Sequence, residues 1–159
     1  MKISKKLNDA INAQITEELK ASNAYANMAA YFNSLGLLRL TGMFFEQSEE
    51  EREHAMKFVH YLLEVEGDMA ISAIPAVPTK FESVQAAFEM ALNWEKDVTS
   101  KINHLMDLAI EENDYPTQDM LRWFVNEQVE EEATMSHLVF LAEQFKNHTP
   151  LMIESHLPK

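Results

Sequence analysis

The feature that most constrains this chain is a pattern repeated along it: runs of about thirty residues in which apolar side chains recur at steps of three and four, each broken near its middle by a carboxylate. In the first run Leu7, Ile11, Ile15, Glu18, Ser22, Tyr25, Ala29 and Phe32 trace one helix face, and Gly36 ends it as a left-handed cap. The second, from about Leu37 to Glu66 and closed by Gly67, carries Leu37, Leu40, Phe44, Ser48, Glu51, Ala55, Phe58, Leu62 and Val65. The third, from about Phe81 to Glu112, aligns Val84, Phe88, Ala91, Glu95, Val98, Ile102, Leu105 and Ala109. A turn at Asn113-Asp114-Tyr115-Pro116 follows, with Asp114 as helix cap and Pro116 in the first turn. The fourth run reaches about Asn147 and aligns Leu121, Phe124, Gln128, Glu131, Met135, Leu138 and Ala142. The tail from Thr149 to Lys159 has room for one short helix.

Such runs predict an all-α bundle of four helices in one domain spanning residues 1–159, the bundle itself over about 5–147 and a short C-terminal helix over about 149–157. Apolar residues make up 47% of the chain and only 3 residues are Gly, which suits long helices better than turn-rich β structure. Short links make helices one and two antiparallel, and three and four likewise. The stretch from Gly67 to Lys80 holds Pro75 and Pro78 and no helical period. A helix of about thirty residues is roughly 45 Å long, and an extended link of about fourteen residues reaches roughly 46 to 50 Å. The link therefore predicts a crossover along the whole bundle, leaving helices two and three parallel.

Glu18, Glu51, Glu95 and the Gln128/Glu131 pair each sit near the middle of their helix, where running up or down makes no difference, so they share one layer of the core. Buried carboxylates without compensation cost several kcal/mol each, and none of the four stripes brings a Lys or Arg to this layer. Protons or metal cations must balance it. His54 stands three residues after Glu51, on the same face, and favours metal. The chain has no Cys, which excludes disulfides, thiolate zinc sites and cysteine nucleophiles. Carboxylates with one imidazole and no sulfur suit iron, manganese or zinc, and Glu51, facing the layer with His54 one turn on, is placed to bridge two ions.

The order Glu18 with Tyr25, then Glu51-Arg52-Glu53-His54, then Glu95, then Trp123-Phe124-Val125-Asn126-Glu127-Gln128-Val129-Glu130-Glu131-Glu132, together with the Asp114-Tyr115-Pro116 turn, resembles bacterial non-haem ferritin over about residues 5 to 147. The resemblance implies a ferritin-like four-helix bundle with one long crossover. It implies a di-iron centre with one iron held by Glu18, Glu51 and His54 and a second by Glu51, Glu95 and Glu131, with Gln128 beside it and Tyr25 hydrogen-bonded to a ligand. It also implies a third iron site from Glu50, Glu127 and Glu130, sharing Glu131. In haem-containing bacterioferritins both half-sites carry Glu-x-x-His and a haem-ligating Met follows the bridging Glu. Here the second half-site is Gln128-x-x-Glu131 and Arg52 follows Glu51, which argues against haem despite the 10 Met residues.

The function so implied is iron storage: Fe(II) is oxidised at a ferroxidase centre by O₂ or H₂O₂ and deposited as a mineral inside a homo-oligomeric shell of 24 subunits. The alternative is a ferritin-like di-iron peroxidase or oxygenase, which needs an open pocket above the irons and an electron donor; a metal-free interaction bundle is the third possibility. The formal charge of −13 argues against a nucleic-acid partner and suits a chain that gathers cations. No segment approaches the roughly 18 apolar residues that span a bilayer, and the N-terminus lacks the apolar run of a secretory signal, so no membrane association and a cytoplasmic location are expected.

Overall fold

The computed structural model describes residues 2–159 and holds five helices: α1 (Lys5–Ser34), α2 (Leu38–Glu64), α3 (Val84–Glu111), α4 (Tyr115–Gln144) and α5 (Leu151–Ser155). No strand occurs among the described residues, and no helix is long and apolar enough to cross a membrane. The all-α bundle with one long crossover and a short fifth helix agrees with the expectation from the stripes.

Local chemistry sets the helix ends. Ser4 Oγ accepts from Leu7 N at 3.2 Å, Ser83 Oγ from Ala86 N at 3.0 Å and Asp114 Oδ1 from Thr117 N at 3.0 Å, each relieving an orphan first-turn donor. Three helices end in the same way. A left-handed residue (Gly36, φ 74°; Glu66, φ 53°; Asn113, φ 56°) precedes an N–H that turns back to a carbonyl of the last turn: Leu37 to Phe32 at 3.0 Å, Gly67 to Leu62 at 2.7 Å and Asp114 to Ala109 at 2.9 Å.

Several expected boundaries shift. α2 stops at Glu64, and Glu66 rather than Gly67 takes the left-handed turn. Gly67 is needed for a close approach instead, because a Cβ there would lie 2.8 Å from Asn8 Oδ1 and 3.0 Å from the Leu62 carbonyl. α3 begins at Val84 rather than near Phe81, since Ser83 caps it; the Phe81 ring packs on Tyr31 with centroids 5.3 Å apart. α4 ends at Gln144, short of Asn147.

The crossover occupies residues 65–83 and is fastened along α1. Asn8 Nδ2 and Asn12 Nδ2 donate to the Asp68 carbonyl at 3.2 and 2.8 Å, and Asn8 Oδ1 and Asn12 Oδ1 accept from Asp68 N and Ala70 N at 2.8 and 2.9 Å. Thr16 meets Ser72 at 3.1 Å and Asn27 Nδ2 donates to the Pro78 carbonyl at 3.1 Å. The chain thus climbs from the first turn of α1 to its last third, which sets α3 parallel to α2. These bonds satisfy main-chain groups that an irregular segment would otherwise leave unpaired.

At mid-length α1 and α2 approach closely through two small residues: Ser22 Oγ donates to the Ser48 carbonyl and Ser48 Oγ to the Ser22 carbonyl, both at 2.8 Å. The apolar core is split at this height. One cluster packs Tyr25, Phe32, Phe44, Phe88, Met135 and Leu138; the other packs Leu7, Ile15, Phe58, Ile102, Leu121 and Phe124. Burying each such aliphatic or aromatic side chain stabilises the fold by about 1.5–3 kcal/mol, so both halves hold the bundle rigid around the layer between them.

Candidate metal centre

Between the two clusters lies a polar layer that the bundle buries almost completely. Glu18, Glu51, Glu95, Gln128 and Glu131 come from four different helices and none exceeds 4% exposure, with His54 at 5%. Each arrives where its stripe predicts, one carboxylate per helix at mid-length, with Gln128 one turn before Glu131.

The donor atoms converge in overlapping groups. Oxygens of Glu18 and Glu51 and a ring nitrogen of His54 lie within 4.8 Å of one another, as do oxygens of Glu51, Glu95 and Glu131. Glu51 belongs to both groups and stands between them. His54 Nδ1 is 3.4 Å from Glu51 Oε2, and its Nε2 is 3.8 Å from Glu127 Oε1. His54, Glu127 and Glu131 form a further group of the same size. Glu50 and Glu130 join no such group; both are exposed and line, with Glu46, Gln47, Glu127, Glu131, Met43 and Thr134, an acidic cavity of about 280 Å³ between α2 and α4.

Neutral amides and one phenol organise the layer. Gln14 Nε2 donates to Glu18 Oε1 at 2.8 Å. Gln47 Nε2 donates to Glu131 Oε2 at 2.6 Å and to Glu51 Oε1 at 3.3 Å. Gln128 Nε2 contacts the Glu95 carboxylate at 3.1 Å, the Glu95 carbonyl at 3.2 Å and Thr99 Oγ1 at 3.2 Å. The Tyr25 hydroxyl donates to Glu95 Oε1. Gln14, Gln47 and Thr99 were not singled out by the stripes. Gln14 and Gln47 do carry a signal, since each precedes its glutamate by one helical turn on the same face.

The electrostatics follow from gathering four carboxyls in one buried layer. Burial, then the charge of Glu51, raises the Glu18 carboxyl well above the ordinary range. Burial and Glu95 do the same for Glu51. Burial raises Glu95 too, against the opposing hydrogen bonds from Tyr25 and Gln128. Burial and Glu95 push Glu131 up to about 8. Glu18 Oε2 is buried without a hydrogen-bond partner among the described residues. Native proteins rarely leave such an oxygen unsatisfied, and Glu18 is one of the residues of the donor group with Glu51 and His54. Four carboxylates and an imidazole, with no sulfur, are the donor set for iron, manganese or zinc. Two overlapping groups that share a carboxylate can hold two such ions close together.

Comparison with known proteins agrees with this arrangement. Residues 8–145 match the family model of the ferritin-like domain. The chain is 38% identical over 140 residues to a bacterial non-heme ferritin of Staphylococcus saprophyticus, covering 87% of this chain and 84% of that protein. It is 39% identical over 137 residues to a bacterial non-heme ferritin of Bacteroides fragilis, covering 86% of each. Among solved structures, an open pore ferritin from the hyperthermophilic archaeon Archaeoglobus fulgidus superposes with a TM-score of 0.94 at 34% identity, over 99% of this chain and 98% of that one. With the family model matched across nearly the whole bundle and relatives this similar over most of their own length, the chain belongs to the ferritin family.

Proposed function

We propose that this chain is the subunit of an iron-storage ferritin, oxidising Fe(II) to Fe(III) at the buried layer and passing it to a mineral held within a hollow homo-oligomeric shell. The observation that carries the proposal is the shared carboxylate of Glu51, common to two groups whose donor atoms lie within 4.8 Å. In this reading Glu18, Glu51 and His54 take one Fe(II), and Glu51, Glu95 and Glu131 take the second, with Gln128 beside it. Glu50, Glu127 and Glu130, with Glu131, form a third iron site in the acidic cavity.

Iron is substrate and cargo, and the metal supplies the electrons; the residues supply geometry and proton management. Carboxyls raised by burial hold protons in the metal-free layer, and arriving cations displace them. Gln14 donates to Glu18, and Gln47 to Glu51 and Glu131, without adding charge, so these glutamates keep their orientation. Tyr25 and Gln128 hold the two oxygens of Glu95, one each, and Tyr25, a phenol bonded to a proposed ligand, is assigned the supply of an electron. The oxidant is O₂ or H₂O₂.

We also propose a cytoplasmic shell of 24 subunits and a haem-free protein; the curated relatives named above carry the name non-heme ferritin. Exposed Leu38, Leu63, Ile71, Ile110 and Tyr115, each more than half accessible, support burial against neighbouring copies. The Archaeoglobus protein is described as an open pore ferritin, so native mass together with electron microscopy tests both the subunit number and the pore geometry. The site is tested by Glu51→Ala, which removes the bridge: the variant should fold, assemble and lose the fast phase of Fe(II) oxidation in stopped flow. An unchanged initial rate overturns the assignment.

A further inference from the structure

A second groove approaches the carboxylate layer from the other side of α4. The acidic cavity lies on the α2 side of that helix, where Glu127, Glu130, Glu131 and Thr134 line it. On the α3 side, Val125, Gln128, Val129 and Glu132 of α4 and Thr99, Ile102 and Asn103 of α3 line a cavity of about 350 Å³. The inner wall of this second cavity is Gln128, 3% exposed, whose amide bonds both Thr99 Oγ1 and the Glu95 carboxylate. One side chain therefore separates the groove from a carboxylate of the dinuclear layer.

The two grooves differ in chemistry. Five of the eight residues around the first are glutamates. A divalent cation is drawn to such a surface and concentrated there. The second is lined by three aliphatic side chains, by the neutral polar groups of Thr99, Asn103 and Gln128, and by one carboxylate, Glu132. It offers little attraction to Fe(II); its apolar side chains suit dioxygen, whose transfer from water to apolar surface is favourable, and Thr99, Asn103 and Gln128 offer hydrogen-bonding groups to hydrogen peroxide. Cations held along the acidic side would also obstruct that route for a second reactant.

Resting on the ferroxidase reading above, we propose that the α3–α4 groove is the path by which a small uncharged oxidant, dioxygen or hydrogen peroxide, reaches the dinuclear centre, separate from the path of Fe(II). The balance is that of the proposed reaction. Two Fe(II) give up one electron each; dioxygen takes both with two protons and leaves as hydrogen peroxide, or hydrogen peroxide takes both with two protons and leaves as two waters. Asn103 and Val129 are exposed, line the groove and belong to none of the close donor groups, so substitution at either position fills the groove without removing a proposed ligand.

The test is Asn103→Trp and Val129→Trp, made separately so that one variant survives if the other fails to assemble, and compared with the parent at matched native mass. Initial Fe(II) oxidation is followed by stopped flow against dissolved oxygen, then anaerobically against hydrogen peroxide, and in each case against Fe(II). The expected result is a KM for oxidant raised by about threefold or more, with the rate at saturating oxidant and the Fe(II) dependence unchanged, the mark of an access step rather than of lost chemistry. A shift for one oxidant alone supports the path and assigns it to that oxidant. Oxidant dependence equal to the parent's in the assembled variants, or a shift in the Fe(II) dependence instead, overturns it. Absence of fast paired oxidation in the parent would overturn the ferroxidase reading itself, an outcome visible before either variant is compared.

Discussion

Gln47 illustrates how much of this centre depends on residues that are not ligands. It lines the acidic cavity and its amide joins Glu51 of one helix to Glu131 of another, at 3.3 and 2.6 Å. Both bonds favour the charged carboxylate, the form that binds metal. Gln47→Leu is therefore expected to keep the fold and weaken divalent-metal binding by about 10–100-fold, the usual cost of losing such a supporting group; calorimetric titration with Zn(II), which is redox-inert, would read it, and unchanged affinity would reduce Gln47 to packing. The raised carboxyls lead to a pH prediction of definite sign. Glu131 titrates at about 8 in the folded metal-free protein against an ordinary value of 4.5, through burial and the charge of Glu95. The folded state thus holds a proton that the unfolded chain releases, so the stability contributed by the protonated carboxyl is fully present below the ordinary value and is lost as pH rises towards the folded one. The melting temperature of metal-free protein should fall between about pH 5 and pH 8. Glu131→Gln should fall less steeply, and Zn(II) added at neutral pH should restore stability with release of protons. Equal slopes in the two proteins, or binding without proton release in weakly buffered solution, would mean that the layer is already ionised.

At the scale of elements, the least expected contact is that of the tail. α2 has no side-chain cap of its own, and Glu154 of α5 supplies one: its carboxylate accepts from Leu40 N at 2.9 Å. Arg39 donates to the carbonyls of Glu154 and Pro158 at 2.5 and 3.1 Å, while Ile153 and Leu157 enter the core cluster of Phe32 and Phe44. The five-residue helix is thereby folded onto its own subunit. A carboxylate at a helix N-terminus is favoured by the partial positive charge there, so Glu154→Ala should destabilise the folded chain by about 0.5–2 kcal/mol, as loss of a cap does. Denaturant unfolding would measure it; a change below the scatter of repeat measurements would show that water caps α2 equally well. None of this was legible in the sequence, because a cap supplied from 114 residues away leaves no local pattern. The same limit hid the Asn8 and Asn12 clamps on the crossover, which read as ordinary polar positions of a helix. What was legible depended on period: helices, their directions and the shared height of Glu18, Glu51, Glu95 and Glu131 follow from counting, since a stripe names the buried face and a carboxylate in it stands out. Gln14, Gln47 and Thr99 escaped because a neutral polar residue stands out less from a stripe than a carboxylate does, and the one-turn spacing of Gln14 and Gln47 to their glutamates becomes telling only once those glutamates are known to be buried. Helix ends shifted where a capping side chain competed with the period, as Ser83 does ahead of α3.

Over the whole molecule the charge is divided by the bundle. The buried layer is flanked on the α2 side by a cavity with five glutamates, and on the α3 side by a groove with one. In a shell, the acidic side is the one expected to face the interior, where clustered carboxylates lower the potential and gather Fe(II) for transfer to mineral. The glutamates of this cavity are not equivalent. Glu127 stands 3.8 Å from His54 and Glu131 accepts from Gln47, so changing either disturbs the dinuclear groups directly. Glu50 and Glu130 are exposed and join none of the close donor groups, which makes the double variant Glu50→Ala, Glu130→Ala the cleaner probe of the cavity's own role. In that variant the first two Fe(II) per subunit should be oxidised at nearly the parent rate, because every proposed ligand of the dinuclear centre is untouched. Later additions should differ: with fewer carboxylates to receive Fe(III) and to concentrate the next Fe(II), regeneration of the fast phase between successive additions should slow by several-fold. The measurement is a series of stopped-flow additions at two irons per subunit, with mineral growth followed in parallel. A variant that loses the first fast phase yet mineralises normally under repeated additions would reverse the division of labour between the buried layer and the cavity that opens onto it.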